Sequence, residues 1–334
     1  MIIIPSLKMW EFERMKEKVK ILRKLGINLY RINLKTLTNT PEYDALYEVL
    51  IEIIREYSDI KLIFDIDLPN DSPRIRVLNK KAYFEVNKNE EIMLKVGKPE
   101  FCDDTKTMYL LGVNSISRIE DAKYIIYSNG SLIFKIISKE KNTLKLVADR
   151  NGAIWSGKSI HFDNMYLVSG ENAYMEIDFI NKIPRSNIDS IALSFTQNCE
   201  QLKNAKQKIG EFKYICKIED IVGVENLDMI CKDKNCEGIY VGRGDLLFST
   251  FSKSFVSVQS LCVEKASNHC KDVIIGTDIL ESMNINPIPS RSDMTDWCFV
   301  KQLNPFGVVL SPALSYSNEI PHIIDFMRND FQLI

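Results

Sequence analysis

Lys213-Tyr214-Ile215-Cys216-Lys217-Ile218-Glu219-Asp220, followed by Glu237-Gly238-Ile239-Tyr240-Val241-Gly242-Arg243-Gly244-Asp245, is the stretch from which the fold can be read. Each half is a short apolar, β-branched run closed by charged residues or glycine. Apolar residues at consecutive positions imply burial on both faces, as in a strand inside a parallel sheet. Working outward from Lys213–Ile218 and Gly238–Val241, the same kind of run recurs at Met1–Ile4, Asn28–Ile32, Leu62–Ile66, Ile191–Phe195, Asp272–Ile275 and Phe306–Leu310. The segments between them read as helices. Glu11 to Leu25 is an example, with Met15, Val19, Leu22 and Leu25 on one face and Lys and Arg on the other.

Between the third and fourth runs the pattern changes. Residues 77–164 carry short alternating stretches, Tyr83-Phe84-Glu85-Val86 and Tyr124-Ile125-Ile126-Tyr127, broken by Asn129-Gly130 and Asn151-Gly152. These are hairpin signals. The remainder of the 334-residue chain is close to the roughly 250 residues of a (β/α)8 barrel. The expected architecture is α/β: a TIM barrel with a small β-barrel-like domain inserted after strand three. Its expected divisions are 1–76 (strands one to three), 77–164 (insert) and 165–334 (strands four to eight).

With 43 basic and 45 acidic side chains the net charge is −2, so no large field draws the protein to nucleic acid or an anionic membrane. No run approaches the roughly 18 to 20 apolar residues of a bilayer span, and Met1-Ile2-Ile3-Ile4-Pro5 has neither a basic n-region nor a full h-region. A cytoplasmic protein is expected. Its eight scattered cysteines suit reduced thiols rather than a secreted disulfide framework. Cys231 and Cys236 have no second ligand pair after them, and the three histidines are dispersed, which speaks against zinc and against a His-based triad.

In a barrel of this kind the reactive groups stand at the carboxyl ends of the strands. Those ends are polar here: Arg31 and Asn33, Asp65 and Asp67, then Lys217, Glu219 and Asp220, then Gly242-Arg243-Gly244-Asp245, then Thr277. Glu219 and Asp245, on neighbouring strands, suit a hard divalent cation, magnesium or manganese. Lys217, two residues before Glu219, shares its face of the strand. An ammonium there can neutralise charge developing on an enolate or a phosphoryl oxygen, although a simple Lys217–Glu219 pair is the plainer alternative. The Gly-Arg-Gly-Asp turn allows backbone N–H groups to approach a carboxylate or phosphate. Taken singly, Arg243 reads as a surface loop residue, and Asp293 and Asp296 as residues capping or flanking a helix.

Three ordered motifs resemble those of the pyruvate kinase family: Ile215-Cys216-Lys217-Ile218-Glu219-Asp220 with Gly223; Gly238-Ile239-Tyr240-Val241-Gly242-Arg243-Gly244-Asp245-Leu246; and Thr277-Asp278-Ile279-Leu280-Glu281-Ser282-Met283 with Pro287 and Pro289-Ser290-Arg291. Arg31-Ile32-Asn33 resembles the family's Arg-x-Asn motif, and Ser72-Pro73-Arg74-Ile75-Arg76 its entry into the B domain, a lid-like domain matching the insert. The resemblance covers nearly the whole chain. It implies Glu219 and Asp245 as metal ligands, Lys217 as the group acting on enolate and phosphoryl, and Arg31 as the phosphoryl contact. It further implies Thr277 beside the enolate methylene and the backbone of Gly244 and Asp245 on the pyruvate carboxylate, with Arg243 and Asn33 in the substrate site. Asp65 and Asp67 compete for one family aspartate, and Asp65 is preferred because it lies near the end of the apolar run. The implied chemistry is phosphoryl transfer between phosphoenolpyruvate and a nucleotide, ADP or ATP, through an enolpyruvate.

Departures from the family pattern shape the remaining expectations. The family's potassium-site Ser, two residues after the Asn and followed by His-Gly, is missing after Asn33, where Leu34-Lys35-Thr36-Leu37 follows, and the Glu of Pro-Glu-Ile-Arg is Arg74. Potassium independence is therefore expected, with Lys35 or Arg74 supplying the charge. The family's Ser-Phe-x-Arg is Ser194-Phe195-Thr196-Gln197, and its Ser-Gly-Glu-Thr is Ser311-Pro312-Ala313-Leu314. The sequence ends at Ile334, short of the family's C-terminal domain, so control or oligomerisation through that domain is not expected, and a role outside glycolysis becomes an expectation. Two alternatives stay open beside the kinase: a metal-dependent lyase, aldolase or transferase acting on a pyruvate or related 2-oxo acid enolate without nucleotide, and a non-catalytic regulatory homologue.

Overall fold

The computed structural model describes residues 1–8, 11–34, 40–66, 74–77, 83–96, 106–111, 122–128, 130–156, 158, 160–162, 173–250 and 254–329. Lys35, Asp67, Ser72, Pro73 and Asn129 lie outside the described residues, as does the side chain of Arg74.

The eight apolar runs form the strands β1 (Ile2–Leu7), β2 (Leu29–Asn33), β3 (Lys61–Ile66), β4 (Ile188–Leu193), β5 (Tyr214–Ile218), β6 (Cys236–Gly242), β7 (Asp272–Gly276) and β8 (Gly307–Leu310). They close into a barrel in the order β1-β8-β7-β6-β5-β4-β3-β2, every neighbouring pair parallel. Helices lie between them: Phe12–Lys24 follows β1 and Thr40–Glu56 follows β2. The fold is thus a (β/α)8 barrel. Ile4, Ile63, Ala192, Ile215, Tyr240, Ile274 and Val309 fill its centre, one residue from each of seven strands.

The period of two along a strand then decides what faces the mouth. Two residues beyond each of those core positions stand Ser6, Asp65, Ser194, Lys217, Gly242, Gly276 and Ser311; Arg31 follows Leu29 in the same way. A one-residue slip in any strand would exchange these polar groups for its apolar outer face. One strand ends earlier than its apolar run: β4 stops at Leu193, where the sequence reading carried it to Phe195. Phe195 has φ +47°, which no strand tolerates. Its N–H is turned out of the ladder to donate to Glu219, and Thr196 folds its hydroxyl back onto the Leu193 carbonyl.

The chain divides into two compact units. The first is Met1–Asp67, Ala173–Leu246 and Ser252–Ile334; the second is Leu68–Asn172 with Leu247–Phe251. In the second unit the regular structure among the described residues of Leu68–Asn172 is all β, and Leu247–Ser249 is the end of a short helix. Its larger sheet runs, edge to edge, through Ile160–Phe162, Tyr124–Tyr127, Leu132–Glu140, Thr143–Ala148, Glu91–Val96, Thr107–Leu111 and Arg74–Arg76; Tyr83–Val86 and Gly152–Trp155 form a separate pair. Alternation makes its core, as Ile92, Leu94 and Val96 face Leu144, Leu146 and Phe134 while the residues between point outward. Among the described residues no helix is long and apolar enough to cross a membrane.

Candidate active site

Five adjacent strands contribute to one hydrogen-bonded chain of charge at the barrel mouth. From β1, Ser6 Oγ accepts from the Arg31 guanidinium at 3.2 Å. Arg31 on β2 is paired through Nε (3.0 Å) and Nη2 with one carboxylate oxygen of Asp65 on β3. The other Asp65 oxygen accepts from Ser194 at 3.0 Å, just beyond β4. Lys217 on β5 donates to Asp65 at 3.0 Å and to Ser194 Oγ at 3.3 Å, and is paired with Glu219 Oε1 at 3.0 Å. Asp65, Lys217 and Glu219 are nearly sealed from solvent, at 0, 3 and 4 % exposure. The alternative of a bare Lys217–Glu219 pair is therefore half of the arrangement: the same ammonium is also held by Asp65.

Burial of this kind is costly unless the charges are mutually satisfied. Asp65 meets that condition by serving two cations and a hydroxyl. Burial opposes the Arg31 charge, yet the adjacent Asp65, with Tyr240 and Glu219 further off, holds its guanidinium above the ordinary arginine range. Glu219 is braced on its far side by the Phe195 N–H at 3.0 Å. It lies across the end of β6, where a Cβ on Gly242 would come within 2.5 Å of its Cγ, so only glycine fits there. Asp245 stands in the first turn of the short helix Arg243–Ser249 that follows β6.

Tyr240 rises from the barrel core beneath these groups. Its ring centroid is 5.3 Å from Lys217 Nζ and 6.0 Å from Arg31 Cζ. A side chain on Gly276 would collide with its hydroxyl. Burial raises its pKa, against the pull of Arg31 and Lys217.

A second cluster fixes the end of β7. Arg243 is buried rather than a surface loop residue: it donates to the Gly276 carbonyl at 3.2 Å and the Thr277 carbonyl at 3.0 Å, and pairs with Asp296 at 2.7 Å. It clamps a turn in which Thr277, Asp278 and Leu280 all have positive φ, at 81°, 54° and 56°. Gly244 packs against Thr277, whose Cγ2 would be 3.1 Å from a Cβ at that position. Asp296, read from sequence as a helix-flanking residue, is the acidic partner of this clamp. Asp293 does sit at the start of Arg291–Leu303, where Ser290 caps its N–H and Ser282 donates to its carboxylate.

Asp220 turns away from the mouth. It caps the helix Ile221–Glu225 through the Gly223 N–H at 2.8 Å and accepts from Gln197 at 2.6 Å. Burial nevertheless raises its pKa to about 6. Gly223 is required here, because a Cβ would lie 2.7 Å from the Thr196 carbonyl. Ser6, Ser194 and Tyr240 are the mouth residues that the sequence reading did not assign to the site. The signal for them was available in strand parity, since each lies on the inward face.

Comparison with known proteins agrees with this fold. The family model described as "Pyruvate kinase, barrel domain" matches residues 8–300. The chain belongs to the pyruvate kinase family. It is 26 % identical over 291 residues to a pyruvate kinase of Lachancea kluyveri, covering 84 % of this chain and 56 % of that protein. With a pyruvate kinase of Thermotoga maritima the identity is 28 % over 293 residues, covering 84 % and 59 %. The chain thus spans rather more than half the length of the curated relatives it matches. The crystal structure of a pyruvate kinase from Cryptosporidium parvum superposes with a TM-score of 0.75 at 19 % identity, over 98 % of this chain and 67 % of that one, a likeness of fold.

Proposed function

We propose that this chain is a divalent-metal-dependent phosphotransferase of pyruvate kinase type, moving a phosphoryl group between phosphoenolpyruvate and a nucleotide through an enolpyruvate. The observation that carries the reading is Lys217, a buried ammonium held between Asp65 and Glu219 at the mouth of the barrel. A structural core has no use for this arrangement, since an apolar replacement of similar volume is as stable or more so. An enolate and a phosphoryl group in transfer, both anionic, do require preorganised cations.

In this reading Arg31 meets the phosphoryl group and Lys217 the oxygen shared between phosphoryl and enolate. Asp65 keeps both cations in place, so that they do not reorganise as charge moves. Arg243, with Asp296, holds Thr277 and the turn beside it against Gly244, where the backbone of Gly244 and Asp245 would take the substrate carboxylate. Asn33 completes the β2 side. The donor set fits magnesium or manganese: Glu219 and Asp245 offer hard carboxylate oxygens, and Gly242 leaves Glu219 its room. Among the described residues no group of three or more metal-ligating side chains occurs, so substrate and water would fill the remaining positions. Such an ion, when bound, supplies Lewis-acid stabilisation of the enolate oxygen. Potassium independence, through Lys35 or Arg74, and a role outside glycolysis belong to the same proposal.

The lyase or transferase reading, an enolate without nucleotide, draws support from one observation. Gln197, standing where the family pattern has Arg, is neutral and committed to Asp220. Calorimetry separates metal and substrate binding from turnover. Manganese-dependent binding of oxalate, an enolate mimic, is expected in the parent protein and lost in Glu219→Gln. Oxalate binding that needs no metal, or that survives this substitution unchanged, would refute the site.

A further inference from the structure

The ring of Tyr240 fills the space that the inward-facing Gly276 leaves at the upper layer of the barrel. A phenylalanine would fill it equally well. The hydroxyl is therefore what needs an explanation. It is carried by a residue only 4 % exposed, and it abuts Gly276 immediately before Thr277. That hydroxyl lies at the barrel mouth, between Lys217 and the Thr277 turn.

We infer that the Tyr240 hydroxyl is the acid that protonates C3 of the enolate. The inference rests on the enolate reading of the site given above. Arg31, Lys217 and the acidic pair Glu219 and Asp245 gather at the charged end of the bound molecule, which leaves its uncharged methylene towards Thr277 and Gly276. There the Tyr240 O–H bond breaks as the C3–H bond forms. The electron pair of the enolate double bond makes that bond, the oxygen at C2 becomes a carbonyl, and the phenolate left behind takes a proton from water. Arg31 and Lys217, each about a ring's width from Tyr240, stabilise the transient phenolate. Burial keeps the phenol protonated at neutral pH, so the acid is loaded before substrate arrives.

The test is exchange of the methyl protons of pyruvate in deuterium oxide, followed by NMR, with the full chain and manganese or magnesium. The parent protein should exchange them. Tyr240→Phe should slow the exchange at least tenfold while keeping the melting temperature and the metal-dependent affinity for oxalate, because the ring remains. Exchange at the parent rate in Tyr240→Phe would overturn the inference and leave the site reading intact. So would a parent protein that binds oxalate but does not exchange. Absence of both oxalate binding and exchange in the parent would remove the enolate site, and the inference with it.

Discussion

Replacing Asp220 by asparagine should make the protein more stable than its parent above pH 6 and bring no such advantage at pH 4. The carboxyl is buried beside Glu219, and burial lifts its pKa from the ordinary 3.8 to about 6 despite bonds from the Gly223 N–H and Gln197. The folded state therefore holds this proton more tightly than the unfolded one. The stability it brings is fully present below pH 3.8 and is lost as pH rises through about 6. At about 1.4 kcal/mol for each pH unit of that interval, the loss comes to about 3 kcal/mol. Asparagine is neutral throughout and keeps an oxygen for the Gly223 N–H, while the Gln197 amide can turn to accept from the new amide. Urea unfolding of both proteins at several pH values between 4 and 8 isolates the effect, because all other titrating groups cancel in the difference. That difference should grow with pH in favour of Asp220→Asn and level off above pH 7. A difference independent of pH, or one growing in favour of the parent, would refute the assignment of a raised pKa to this buried carboxyl.

Other substitutions address the mouth. Asp65→Asn leaves Arg31 and Lys217 buried without their shared anion and should cost about 3 to 5 kcal/mol in unfolding experiments; a loss under about 1 kcal/mol would mean that the pairing is dispensable. Gly242→Ala drives a methyl into Glu219 and should weaken manganese binding at least tenfold by calorimetry, whereas Gly210→Ala, at a helix end with no atom near its Cβ position, should leave it unchanged. Lys217→Met should abolish turnover, read as pyruvate release, with folded circular dichroism retained. Exchanging potassium for tetramethylammonium should leave the rate unaltered, and strong activation by potassium would exclude Lys35 and Arg74 as its replacement.

The barrel was legible because its strands are apolar on both faces and its mouth residues follow the core by two positions. Ile63 with Asp65 and Ile215 with Lys217 could be paired in this way from sequence alone. What sequence could not supply is how strands at different positions share one partner. Asp65 serves Arg31 from β2 and Lys217 from β5, and nothing local to Asp65 announces two cations. Asp296 likewise looks like a residue of the helix it sits on, and becomes the partner of Arg243 only through the packing of that helix against the end of β6. The strand end at Phe195 was misplaced for a related reason. Its apolar side chain continues the run, while its backbone is claimed by Glu219, a residue 24 positions away.

Pyruvate release from phosphoenolpyruvate by the purified chain, with magnesium or manganese and with or without ADP, is the most direct measurement. Release that requires both the divalent ion and ADP, with ATP formed in equal amount, is the predicted result. No release under any of these conditions, from a folded protein that binds the metal, would contradict the phosphoryl-transfer function proposed for this site.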